Sequence, residues 1–181
     1  MAAGPTRQER GSRQERVIRR RRTARLAAVQ ALYQAEISST EPDKVALEFL
    51  QHRLADDLDG LTLGEIDQQL FLDVFRGTHA TRKELDDMLT AVIAEDWRVE
   101  RLDSMLRHIL RAAAWELSYQ PQAPAKVVVA EYVGLAHDFF DQREPGMANG
   151  MLNRIARELR PEEFTAARRT GRFHRCAANS T

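Results

Sequence analysis

KVVVAEYVGLAHDFF, residues 126–140, is the stretch on which the fold class turns. Its first eight residues are rich in β-branched side chains and have the composition of a strand. The continuation argues otherwise. Val128, Tyr132, Leu135 and Phe139 recur at i, i+4, i+7 and i+11, which is one face of a helix, and the run outlasts an ordinary strand. Pro121 and Pro124 break the chain just before it. The spacing predicts a helix from about Pro124 to Phe140.

The same period extends in both directions. Leu26, Val29, Tyr33 and Ile37 form a helical stripe in a segment that starts near Ile18. Ser38, Ser39 and Thr40 close it; Ser39 or Thr40 can cap a second helix with Pro42 in its first turn. Val45, Leu47, Phe49, Leu50 and Leu54 are the apolar residues of that second helix, and Asp59-Gly60 marks a loop. A longer pattern runs from about Thr62 to Ala94, with Gly77 in its middle as a kink or a close helix contact. A further helix from Val99 to Tyr119 carries Leu102, Met105, Leu106, Ile109, Leu110 and Ala113. Glu144-Pro145-Gly146 reads as a turn. Met147, Met151, Ile155 and Leu159 then line a helix that stops at Arg160-Pro161. The expected fold is all-α, with about six to seven helices. Residues 18–160 form the folded domain. Residues 1–17 hold almost nothing to bury and read as a disordered arginine-rich arm, and 161–181 as a basic tail with room for one short helix.

The 181 residues are 43% hydrophobic, enough for a core of one domain. No stretch approaches the roughly 18 apolar residues of a membrane helix, so no helix spanning a membrane is expected. The first 25 residues lack the apolar core of a secretory signal. One cysteine, Cys176, excludes an intrachain disulfide and fits a cytoplasmic protein. The five histidines show no metal-ligand spacing and read as surface or boundary residues; phosphate-loop, dinucleotide and nucleophile-elbow motifs are missing too. Nothing assembles a nucleophile, a base and an oxyanion site, so neither an enzyme nor a metal or cofactor is expected.

Net charge is zero, yet residues 1–25 carry +7, residues 26–160 carry −9 and the tail carries +2. An acidic body with a basic arm suggests an anionic partner for the arm and a cationic one for the body. Arg19, Arg20, Arg21, Arg22 and Arg25 crowd the start of the first expected helix, where cations repel one another and oppose the macrodipole. A bound polyanion removes both penalties, and arginine grips phosphate bidentately. On charge alone a nucleic acid, an acidic protein or a membrane surface remains open.

Four ordered blocks narrow the choice. RRTARLAAVQALYQ (21–34), DWRVERLDSMLRHILRAAAWEL (96–117), APAKVVVAEYVGLAHDFF (123–140) and MANGMLNRIARELRP (147–161) together resemble the NusB transcription antitermination family. The resemblance spans about residues 18–161. It implies an all-α fold of two packed helical bundles and no catalytic activity. It implies binding to single-stranded boxA leader RNA, together with the ribosomal small-subunit protein called NusE in this role, on the RNA polymerase elongation complex. It also implies a monomer or homodimer when free. The domain also occurs fused to an RNA cytosine methyltransferase, a form that the length of this chain speaks against. The family's RNA surface maps onto Arg21, Arg22 and Arg25, with Arg19 and Arg20 as helpers. Its second contact, often a basic residue and an aromatic, maps onto Gly146 and Met147, where charge and stacking are lost. Asn149 and Gly150 then read as structural, the glycine allowing a close helix approach. Leu110, Trp115, Leu117 and Val127 are expected in the core. Arg111 and Glu116 either pair across helices or face the partner protein.

Overall fold

The computed structural model describes residues 7–53, 66–93, 98–141 and 143–170. Among them there is no strand, and KVVVAEYV lies in a helix. The described residues form eight α-helices, more than the six or seven expected. The Thr62–Ala94 pattern splits in two and the tail adds one.

Helix α1, Arg7–Ser38, runs 32 residues. It begins eleven residues before the expected start at Ile18, inside the segment whose composition points to disorder. Arg, Gln and Glu are good helix formers. The packed half of α1 supplies the costly nucleus, so each residue added ahead of it needs only propagation. The helix stops as the sequence predicts: Ser39 takes a left-handed φ of 50°, and Ser38 Oγ donates to the Gln34 carbonyl at 2.7 Å. Helix α2 is Pro42–Glu48, with Glu41 rather than Ser39 or Thr40 at its N-cap and no side-chain cap bond. It passes into one π-helical turn, Phe49–Arg53. Leu54 and the Asp59-Gly60 loop lie outside the described residues.

Helices α3, Gln68–Ala80, and α4, Arg82–Val92, meet at Thr81. Asp67 caps α3 through Leu70 N at 3.1 Å. Gly77 sits in α3, four residues before the break. A Cβ there would fall 2.1 to 2.3 Å from the Trp115 indole, so the glycine serves a close helix contact. Gly77→Ala is expected to lower stability by about 1–3 kcal/mol, the range for overpacking. Urea unfolding measures it, and Trp115→Leu should restore most of the loss in the double variant.

A 3₁₀ turn at Val99–Arg101 leads into α5, Ser104–Tyr119, which Asp103 caps by accepting from Met105 N at 2.8 Å. Helix α6 is Ala125–Phe139, with Pro124 at its N-cap. Helix α7 is Arg143–Leu159. It absorbs Glu144-Pro145-Gly146, read from sequence as a turn, because proline is at home in a first helical turn where its missing N–H has no partner to lose. Helix α8 is Pro161–Thr170. Helix α5 is the hub: it packs against α1 and α3, and against α4, α6 and α7, joining an N-terminal and a C-terminal helical group. Eleven of its sixteen residues are buried. Phe49, Phe71 and Phe75 stack in series beside it. Leu110, Trp115 and Leu117 are core as expected, whereas Val127 is 47% exposed and Ile37 63% exposed. No helix of the described residues is long and apolar enough to cross a membrane.

Candidate nucleic-acid interface

Because α1 starts at Arg7, Arg19–Arg22 sit mid-helix, where the macrodipole penalty of a helix start does not act. Their mutual repulsion remains. Arg19 and Arg20 are exposed and make no ion pair among the described residues. Arg21 is half-buried, and its Nε has no partner. Arg22 donates from Nη2 to Asp138 Oδ2 at 2.7 Å, with side chains 39% and 47% exposed. It also lies over Gly134 of α6, where a Cβ would meet Arg22 Nη1 at 2.8 Å. An exposed pair of this kind is worth about 0–1 kcal/mol, so Arg22 is oriented rather than sequestered.

Arg25 is different. It is 3% exposed. Its Nε donates to Glu116 Oε2 at 2.9 Å and its Nη2 to Glu116 Oε1 at 2.6 Å, a bidentate pair between α1 and α5. Tyr132 of α6 donates its hydroxyl to Glu116 Oε2 at 3.0 Å, and Glu131 Oε2 lies 3.6 Å from Arg25 Nη1. Burial works against the charged guanidinium, but the bonds to Glu116 outweigh it and raise the pKa of Arg25. The expectation that Arg25 faces RNA is therefore corrected: its side chain ties three helices inside the protein. The reason is helical register. Arg25 shares a stripe with Ala28 and Leu32, both buried. Arg19 and Arg20 lie where α1 still stands in solvent.

Glu116 is settled by the same geometry as a pairing residue across helices. So is Arg111, whose Nε and Nη2 donate to Asp86 of α4 at 2.7 and 2.9 Å. His108, expected near the surface, is 4% exposed and lies 2.5 Å from Glu36. Burial, resisted by Glu36, lowers its pKa to about 4, so it is neutral at pH 7. Arg160, read from sequence only as a stop, is 6% exposed. It donates to the Leu117 carbonyl at 2.6 Å, an acceptor that the end of α5 leaves free, and to that of Gln120 at 3.1 Å, which also accepts from Ala123 N. A charged residue just before a proline is the only sequence signal for it.

The second expected contact lies at the start of α7. Met147 is half-buried and packs against the core. Around it Gly146, Asn149 and Gly150 are exposed. A Cβ at Gly146 or Gly150 meets nothing within 4 Å, so the reading of Gly150 as a close-approach glycine is corrected. Asn149 accepts from Asn153 Nδ2 through Oδ1 at 2.9 Å, within its own helix. Helix α6 ends at Phe139 and α7 begins at Arg143. The Arg22–Asp138 pair thus links the arginine turn of α1 to the end of α6 that leads into α7. Arg19 and Arg20 are open to solvent, and the Asp138 carboxylate is paired with Arg22. Among the described residues no cluster of His, Cys, Asp and Glu could hold a metal.

The family profile described as the NusB family matches residues 22–157. The transcription antitermination protein NusB of Caulobacter vibrioides is 44% identical over 143 residues, covering 79% of this chain and 96% of its own. That of Rhodopseudomonas palustris strain HaA2 is 40% identical over 151 residues, covering 83% and 89%. Among solved structures, T. maritima NusB superposes with a TM-score of 0.65 at 27% identity, covering 80% of this chain and 96% of that one. A chain from a complex of the antitermination factors NusB and NusE with double-stranded RNA superposes at 0.64 with 19% identity, a likeness of fold alone. With the four sequence blocks, the helix order and these matches in agreement, the chain belongs to the NusB family.

Proposed function

We propose that this protein is a transcription antitermination factor that binds boxA-type leader RNA together with the ribosomal protein NusE and acts on elongating RNA polymerase. It works in the cytoplasm as a binding protein, without a catalytic step. The observation that carries the RNA reading is the group Arg19–Arg22: four consecutive arginines, two of them free of any ion pair among the described residues, one with an unpartnered buried Nε, one aimed along α6. Burying or concentrating such charge is unfavourable unless an anion compensates it. Met147 and the open backbone around Gly146 and Gly150 form the second contact, with backbone and Asn149 in place of a stacked ring. Arg25 holds α1 in position and takes no phosphate.

NusE supplies a basic surface for the acidic body, and the two proteins hold the RNA jointly. The factor thereby tethers the transcript to the polymerase that made it. The test is a titration of boxA-like RNA against a scrambled sequence, each single-stranded and as a duplex, with and without NusE. The expected result is a preference for single-stranded boxA that sharpens when NusE is present. Equal and weak binding to all four RNAs under both conditions would contradict the proposal and favour an adaptor whose basic arm binds an acidic protein.

A further inference from the structure

Residues 7–21 of α1 precede the segment that the family profile matches, yet the helix runs through them unbroken. Residues 11–20 are exposed throughout, so this half of α1 overhangs the body. Its register is fixed by the packed half. Buried Ala24, Arg25, Ala28 and Leu32 mark the side of α1 that faces the body. At about 100° per residue, Gln14, Val17, Ile18 and Arg21 prolong that side beyond the body. Val17 and Ile18 are 43% and 49% exposed there, an apolar pair open to solvent. Arg13, Arg16 and Arg20 follow at i, i+3 and i+7, one basic stripe along the border of the same side. None of the three makes an ion pair among the described residues. Within residues 11–20 this stripe is basic only, and its last member, Arg20, stands next to Arg21 in the chain.

We propose that the overhang, residues 11–20, is a second RNA-binding element: Arg13 and Arg16 take phosphates of the single strand that continues from Arg20 and Arg21, and Val17 and Ile18 give its bases an apolar seat. This rests on the RNA reading above. From Arg13 to Arg20 the stripe reaches about 10 Å along the helix axis, lengthening the site without touching the part that selects sequence. Phosphate contacts fix position and strength while base contacts carry the preference. The overhang is held chiefly by propagation from the packed half of α1, so a strand lying along it also stabilises it.

The test uses the full chain with Arg13→Gln and Arg16→Gln together, and helix content by circular dichroism as the folding control. Binding of a boxA-like single strand is measured over a series of salt concentrations. The slope of log K against log salt is expected to flatten by about 1.4, from about 0.7 for each lost phosphate. The ratio of boxA to scrambled affinity should stay unchanged. Amide exchange of residues 11–20 should slow when RNA is added. An unchanged slope in the double variant, alongside a flattened slope in a variant of Arg19–Arg22, overturns this inference and leaves the RNA function standing. Protection of the overhang by NusE alone, with no effect of the variant on the slope, assigns it to a protein interface and overturns it as well. If the unaltered protein binds no RNA even with NusE, both readings fall together.

Discussion

Glu116→Gln is expected to destabilise the protein by about 3–5 kcal/mol, the range for removing one partner of a buried ion pair. Glu116 is fully buried and accepts from Arg25 twice and from the Tyr132 hydroxyl. Gln keeps the shape but not the charge, and it turns one acceptor into a donor aimed at Arg25 or Tyr132. Arg25 is then left buried with Glu131, at 3.6 Å, as its nearest carboxylate. Arg25→Met alone strands the carboxylate in the same way. The double variant Arg25→Met, Glu116→Leu removes both charges, and replacing a buried pair by apolar groups of similar volume is often neutral or better. Its stability should return to within about 1–2 kcal/mol of the original protein, short of full recovery because Tyr132 and Glu131 lose their partners. Urea unfolding with a constant m-value reads each step. The folded double variant also tests the role of Arg25 directly: its RNA affinity should match the original. A large loss of affinity in a protein of normal stability would return Arg25 to the RNA surface.

The second large effect falls on binding rather than folding. Changing Arg19, Arg20, Arg21 and Arg22 together to Gln should weaken boxA binding roughly 100-fold at physiological salt, from about 0.7 counterion released per phosphate contact. Of the five arginines that the sequence offered, four remain at the surface, so their share of the salt slope is about −2.8. The variant should keep its fold. Among the described residues the side chains lost make one exposed ion pair between them, Arg22 to Asp138, and relieving four adjacent charges offsets it. Filter binding across a salt series, with urea unfolding as control, separates the two quantities. A variant that unfolds would make these residues structural. One that binds RNA as before would move the site elsewhere.

The contrast between Arg22 and Arg25 shows how much of the site the sequence made legible. Composition marks both as cations in a basic segment, and family resemblance places both on the RNA surface. Only the turn of the helix, three residues further on, separates them. The clue was present in the stripe of Arg25, Ala28 and Leu32 and in Glu116 embedded in an apolar block, but pairing them requires knowing that α1 crosses α5. The same holds for Arg160, whose partners are carbonyls that no sequence pattern displays. Periodicity served the helices well where apolar side chains repeat, as in α5 and α6, and Gly77 was correctly marked by its place in a long stripe. It misjudged Ile37 and Val127, because a stripe says which face is apolar and not how far the neighbouring helix extends to cover it. It also placed the start of α1 too late. Local composition describes an isolated segment, whereas a segment joined to a packed helix inherits a nucleus.

Residue-resolved mapping tests the central claim most directly: amide chemical shifts of the protein followed by NMR as single-stranded boxA RNA is added. Binding at the arginine turn predicts the largest changes at Arg19–Arg22 and around Gly146–Gly150, with little at the buried Arg25–Glu116 pair. Changes confined to other helices, with residues 13–22 and 146–150 silent, would contradict it.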